Sequence, residues 1–355
     1  MYIKKIKLKN FRNYEEQEID LNKNINIFYG DNAQGKTNIL ESIFICSMGK
    51  SFRSKKDQEL IKFDKENSLI ELEYEKIDRT GKIKIDIGDK KLIYINGIKA
   101  KKLSEILGNV NVVIFSPDDI NILKNGPASR RKFLDIMISQ LRPLYVYNLN
   151  LFLKTLEQRN NYLRQIKFEK KSQDLLDIWD EKLADYAQNV YKYRSEFINK
   201  IINKINLIHK EITNDKEEIK INYISDFVNK EQFLEALKKS RDVDIMKGYT
   251  SKGIHRDDFI LSINGKQVNV YGSQGQHRTA ILSLKMSELQ IVYDEIGEYP
   301  VLLLDDFMSE LDKNRINNFI KKINDIQVII TCTDKIDLDN LKGSVFNVQN
   351  GKVLN

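Results

Sequence analysis

Apolar and polar residues alternate with a period of two near both ends of this chain, and recur every three to four positions through its middle. Near the start, Ile25, Ile27 and Tyr29 alternate as in a strand, while Ile39, Leu40, Ile43 and Phe44 fall on one helical face. Residues 68–100 predict an antiparallel patch, with turn signals at Arg79-Thr-Gly81, Gly88-Asp and Asn96-Gly97. Val110–Phe115 predicts a buried strand closed by Ser116-Pro117. From Pro127 to about Ser240 the period becomes helical, with Ser129 as a candidate N-cap. Leu183, Tyr186, Val190, Phe197, Ile201, Ile205 and Ile208 mark one long helix, and Leu144–Gln165 its partner across the polar stretch 169–174. The pattern fits an antiparallel hairpin, an arm of roughly 50–60 Å at about 1.5 Å per residue. It fits equally two helices packed on a core. Beyond Lys247 strands return: Phe259–Ile263 and Gln267–Tyr271 as a hairpin about Asn264-Gly265, then Val301–Leu304 and Val328–Ile330. The expected fold is therefore α/β, its sheet assembled from segments 1–126 and 247–355, with an inserted helical domain at 127–246.

Between the strand ending at Tyr29 and the helix that follows lies Gly30-Asp31-Asn32-Ala33-Gln34-Gly35-Lys36-Thr37, which fits G-x-x-x-x-G-K-[ST] in the strand–loop–helix setting that motif needs. Glycines let the backbone curl so that N–H groups face phosphate oxygens, and the helix opening adds its positive end. Lys36 can reach the β- and γ-phosphates, and the Thr37 hydroxyl can ligate Mg²⁺. Val301-Leu-Leu-Leu304 then ends in Asp305-Asp306, a buried strand delivering carboxylates where α/β folds bind ligands. Asp305 would hold Mg²⁺, directly or through water; Asp306 would act as base or orient the attacking water. The chemistry implied is binding of a nucleoside triphosphate, ATP, with Mg²⁺.

Bulk properties narrow the setting. The 355 residues are 41% hydrophobic and 31% charged, with no apolar run near the eighteen or so needed to span a bilayer, so no membrane partner is expected. The lysine-alternating N-terminus reads as a strand and no signal peptide. Two cysteines, Cys46 and Cys332, make no disulfide framework, which points to reducing cytoplasm. A net charge of +7 permits nucleic-acid binding without establishing it.

Two later motifs sharpen the reading. Ser273-Gln-Gly275-Gln276 opens a predicted helix with a hydroxyl, an amide and a glycine: either a polar N-cap or a second anion site that completes a partner's nucleotide pocket. Ser309-Glu-Leu-Asp312 follows Asp306 at the spacing of a D-loop. With Phe11-Arg-Asn-Tyr14, Lys50-Ser-Phe-Arg53, Phe115-Ser-Pro-Asp-Asp119, Gly126-Pro-Ala-Ser-Arg-Arg-Lys-Phe-Leu-Asp135 and His255-Arg-Asp-Asp258, the chain resembles the RecF family, in the SMC and repair branch of ABC-type ATPases. The resemblance covers residues 2 to about 334. It implies an SMC-like ATPase head with a short helical arm and an ATP-dependent homodimer that binds DNA. It also implies weak hydrolysis that releases the dimer from DNA, and a role with RecO and RecR in loading RecA at single-strand gaps, in replication, repair and the SOS response. Ser273, Gly275 and Gln276 would then act in trans.

The chain departs from the wider ABC pattern in three places: Ser116 stands where a Q-loop glutamine is expected, His277 where another glutamine is, and Asp306 replaces a glutamate. Lys50, Arg53, Lys55 and Lys56 after the first helix, and Arg130 and Arg131 in the insertion, are candidate DNA contacts or solvated faces. Thr331 is either a γ-phosphate sensor or a strand-end hydroxyl. His255 belongs to a metal site, a polar network or a salt-bridged turn, and Arg12 is within possible reach of nucleotide. A transporter ATPase subunit is the rival reading. It would place its signature about a hundred residues after the phosphate loop, whereas Lys36 and Ser273 stand more than two hundred apart. A P-loop GTPase lacks its Asn-Lys-x-Asp here.

Overall fold

The computed structural model describes residues 1–306, 325–335 and 342–354. The chain forms two compact units, one of Met1–Asp119 with Glu288–Asn355, the other of Ile120–Ser287. In chain order the first unit opens with β1 (Tyr2–Phe11), β2 (Tyr14–Asp20), β3 (Ile25–Tyr29) and α1 (Lys36–Met48). It continues through β4 (Ser68–Glu75), β5 (Thr80–Ile87), β6 (Leu92–Ile95), β7 (Ile98–Lys99) and β8 (Val112–Phe115). The second unit holds α2 (Asn121–Lys124), α3 (Pro127–Leu141), α4 (Pro143–Glu169), α5 (Leu176–Thr213) and β9 (Ile219–Ile224). After these come α6 (Lys230–Lys239), α7 (Arg241–Lys247), β10 (Asp258–Ile263), β11 (Lys266–Gln267) and α8 (Val268–Tyr271). α9 (Gln274–Ile296) crosses the boundary in sequence, and β12 (Val301–Asp305), β13 (Val328–Cys332), β14 (Gly343–Gln349) and β15 (Lys352–Leu354) return to the first unit.

Among the described residues the first unit has two six-stranded sheets. One runs β15-β14-β3-β13-β12-β8, with β14, β3, β13, β12 and β8 parallel. β12 and β13 are buried along their whole length, as strands covered on both faces must be, which is why they read as unbroken apolar runs. The other, β2-β1-β4-β5-β6-β7, is antiparallel, and β4 alternates buried and half-buried residues as a one-sided sheet does.

In the second unit α4 and α5 do form the antiparallel hairpin. Tyr145 meets Arg194, Asn148 meets Asn189 and Arg159 meets Asp180, in reverse order along the two helices. Near the hairpin's turn, Leu163, Ile166 and Leu176 make a small core.

Three local expectations change. α3 starts at Pro127 with Gly126 as N-cap in place of Ser129; proline at N1 lacks only an N–H that has no helical partner anyway. Beyond Asn264-Gly265 the expected second strand stops after Gln267 and Val268–Tyr271 wind into a helical turn; among the described residues β11 is an edge strand, paired on one side only with β10. Residues 247–287 group with the helices, because β10 pairs antiparallel with β9 over six residues. Among the described residues no helix is long and apolar enough to cross a membrane.

Candidate active site

β3 ends at Tyr29 and α1 begins at Lys36, so residues 30–35 make the whole connection. Gly30 lies at φ 148, where a Cβ would run into the carbonyl oxygen of Val348. Gly35, at φ 115, packs so closely on the Asn13 side chain that a Cβ would overlap it. Ala33 is left-handed as well, at φ 65, and such turns build the concave nests that bind anions. Asp31, Asn32 and Ala33 are exposed, so the loop presents its outer side to solvent.

Underneath, the loop is braced by residues the motif does not contain. Asn13 Nδ2 donates to the Gln34 carbonyl at 2.7 Å, Tyr14 Oη to the Gly35 carbonyl at 3.1 Å, and Asn38 Nδ2 to Asn13 Oδ1 at 2.9 Å. From the β14–β15 turn, the Gly351 N–H donates to the Gln34 carbonyl at 3.1 Å and the Asn350 N–H to Gln34 Oε1 at 2.6 Å. Lys36 Nζ donates to the carbonyls of Gly30 at 2.6 Å and Asp31 at 2.8 Å. The ammonium is thus held at the loop by neutral acceptors.

The sheet order β3-β13-β12 sets the other half of the site. Thr37 Oγ1 donates to Asp305 Oδ1 at 2.7 Å, and Thr331 Oγ1 donates to the same oxygen at 2.8 Å. Thr331 Oγ1 also accepts the Asp306 N–H at 3.0 Å, with Asp306 at φ 49. One buried hydroxyl between two strand ends therefore fixes both acidic residues. A carboxylate and a hydroxyl at this distance are hard oxygen donors of the kind Mg²⁺ accepts beside waters and phosphate. Among the described residues no group of three acidic, His or Cys side chains forms a closed metal cage.

The signature residues open α9. Ser273 Oγ accepts the Gln276 N–H at 3.2 Å and Gln276 Oε1 accepts the Ser273 N–H at 3.0 Å, a reciprocal capping box. Gly275 is exposed, and a Cβ there would meet nothing nearer than Ser273 Oγ at 3.9 Å. His277 turns inward to the Val268 carbonyl at 2.7 Å. Ser116 closes a tight turn with Asp119, its N–H donating to Asp119 Oδ2 at 2.7 Å. The D-loop residues Ser309–Asp312 lie outside the described residues.

Several cations are already committed. Arg12 makes a bidentate pair with buried Glu41, at 2.9 and 2.7 Å, and reaches Ser54 and the Glu59 carbonyl as well, so its guanidinium braces the segment after α1. Arg130 is buried, bidentate on Asp258 and donating to the carbonyls of Ile122 and Asn125, which corrects its expectation as a DNA contact. Arg131 is half-buried and donates to the Asp257 carbonyl at 2.6 Å, with burial lowering its pKa. Lys50, Arg53, Lys55 and Lys56 are exposed, and Arg53 Nη1 donates to Asn38 Oδ1 at 3.1 Å, one residue past Thr37. His255 sits in a polar network: Nε2 faces the Thr250 carbonyl at 3.1 Å, and its neighbour Asp257 accepts from Tyr223 at 2.6 Å and Ser225 at 2.8 Å. Asn350 and Gly351 were not singled out by the sequence, their signal being only a tight turn, and Asn13 stood out only within Phe11-Arg-Asn-Tyr14 and not as a brace of the loop.

Known proteins resemble this chain from end to end. The model of the RecF/RecN/SMC N terminal domain matches residues 2–352. A Clostridium tetani protein named DNA replication and repair protein RecF is 47% identical over 100% of both chains. A solved structure described as the recombination mediator protein RecF-ATP in the RecFOR pathway superposes with a TM-score of 0.94 at 42% identity, over 99% of this chain and 96% of that one. An Smc head domain from Pyrococcus furiosus shares the fold alone, with a TM-score of 0.58 at 16% identity over 99% of this chain and 96% of that one. Nothing in these likenesses favours a transporter subunit. They extend through the inserted helices as well as the sheet, and so the chain belongs to the RecF family.

Proposed function

We propose that this chain is a weak, Mg²⁺-dependent ATPase that closes as a head-to-tail dimer of two copies around ATP, binds DNA in that state, and is released when ATP is hydrolysed. The observation that carries the reading is the meeting of Thr37 and Thr331 on one oxygen of Asp305, beside a braced phosphate loop. Residues 30–37 would cradle the phosphates. Lys36 would exchange two neutral carbonyl acceptors for phosphate oxygens, gaining charge-assisted bonds of the stronger kind and offsetting charge that builds up during transfer. Thr37 and Asp305 would hold Mg²⁺, which when bound neutralises phosphate charge. Asp306, its backbone pinned by Thr331, would orient the attacking water and take its proton.

Ser273, Gly275 and Gln276 would complete the site of the partner copy. Gly275 supports this, because none of the described residues of its own chain requires a glycine there, whereas a close-approaching outside group would. DNA would lie along the exposed cluster Lys50, Arg53, Lys55 and Lys56. A relative named for DNA replication and repair, and another described in the RecFOR pathway with ATP, support a role with RecO and RecR in loading RecA at gaps. Two free, buried cysteines suit a reducing cytoplasm. Asp306→Asn keeps shape while removing the charge that polarises water. It should bind ATP and dimerise, then stay dimeric longer than the parent. Unchanged turnover would move the base to another residue.

A further inference from the structure

The signature helix is held by groups that the nucleotide site does not use. Gln276 Nε2 donates to Glu217 Oε1 at 2.9 Å, and Glu217 Oε2 faces His209 Nε2 at 3.2 Å. On its other side His209 Nδ1 meets Ser283 Oγ at 2.8 Å, and Ser283 Oγ donates to the Thr279 carbonyl at 2.8 Å. Thr279 Oγ1 reaches back to the carbonyls of Gly275 at 3.0 Å and Gln276 at 3.2 Å. The contacts close a ring over the first turns of α9. His209 and Ser283 are fully buried, and Glu217 is 21% exposed, so water competes little for these bonds.

The ring joins two elements. His209 lies in the last turns of α5, the longer helix of the hairpin, and Glu217 in the short link from α5 to β9. The capping box fixes Gln276 Oε1, and Glu217 takes its Nε2, so the amide's orientation is set from outside α9 as well as from within it. We propose that Glu217 and His209 are positioning residues for Ser273-Gln-Gly-Gln276, clamping the signature turn to the end of α5 so that it meets the partner copy's nucleotide in one fixed geometry. Without Glu217 the Gln276 side chain loses its anchor, and the capping box that shapes the turn loosens with it. The inference rests on the reading of the signature as acting in trans.

The test compares Glu217→Ala, Glu217→Gln and Ser273→Arg with the parent. Binding of fluorescent ATP is measured at protein concentrations low enough to keep the chain monomeric, and ATP-dependent dimerisation by sedimentation. Loss of a hydrogen bond to a charged, largely buried group should weaken dimerisation of Glu217→Ala about tenfold while monomer ATP binding stays at the parent level. Glu217→Gln keeps an acceptor for Gln276 and should recover to within about twofold. A simple loss of fold would spare neither measurement. Parent-like dimerisation of Glu217→Ala beside a failed Ser273→Arg overturns the clamp and leaves the trans reading standing. Equal damage in the Ala and Gln variants also overturns it. Normal dimerisation of Ser273→Arg overturns the trans reading, and the clamp with it.

Discussion

Arg130 and Thr331 show how a side chain's neighbours decide its task. Arg130 opens a helix beside a second arginine, yet its guanidinium makes two bonds to Asp258 and one to each of two carbonyls. Arg130→Ala should leave Asp258 without its buried partner and destabilise the fold by about 3–5 kcal/mol, while the folded variant keeps the parent's salt dependence of DNA binding. Denaturant unfolding and a salt series check this; a stable variant with a flatter salt slope would restore Arg130 to the DNA surface. The pairing was not legible because Asp258 lies 128 positions away. Lys36, Thr37 and Asp305 were legible because their motifs are local: glycines at fixed spacing, and acids at the end of an apolar run. Thr331 looked like any strand-end hydroxyl until the strand order placed it between β3 and β12.

At the scale of elements, the helices α4 and α5 followed from periodicity, which left their pairing as a hairpin open; the short β11 did not follow, since an edge strand's length depends on neighbours that a local pattern does not encode. Next to β10 the packing has a consequence for pH. Burial pushes His255 from an ordinary value of 6.5 down to about 4, with Arg256 and Arg131 adding to the effect and the Thr250 carbonyl opposing it. As pH falls through about 6.5 the unfolded chain takes up this proton first, so stability is full above that pH and declines toward pH 4, by about 3 kcal/mol in all. His255→Gln should flatten the stability curve between those values; curves that run parallel would contradict the assignment. The loop after α1 is the other element with a direct test. Each phosphate contact contributes about −0.9 to the slope of log affinity against log salt. Replacing Lys55 and Lys56 together by alanine should flatten that slope without changing sequence preference, because phosphate contacts position and do not specify. An unchanged slope would place DNA elsewhere.

For the whole molecule, the sequence showed that one sheet is assembled from both ends of the chain, because the phosphate loop and Asp305-Asp306 need each other and lie more than two hundred and sixty positions apart. What it concealed was the extent of the second unit, which reaches Ser287 through the pairing of β9 with β10, a contact between segments with no common motif. The signature therefore belongs to one compact unit and the phosphate loop to the other. The central claim is that two copies close on ATP, each lending its signature to the other. Particle mass in solution, with and without ATP and Mg²⁺, tests it most directly for the parent, Lys36→Ala and Ser273→Arg. The account predicts that ATP doubles the mass of the parent alone, that Lys36→Ala fails for want of a phosphate contact, and that Ser273→Arg binds ATP yet remains monomeric. A parent whose mass ignores ATP, or a Ser273→Arg chain that dimerises as the parent does, would contradict it.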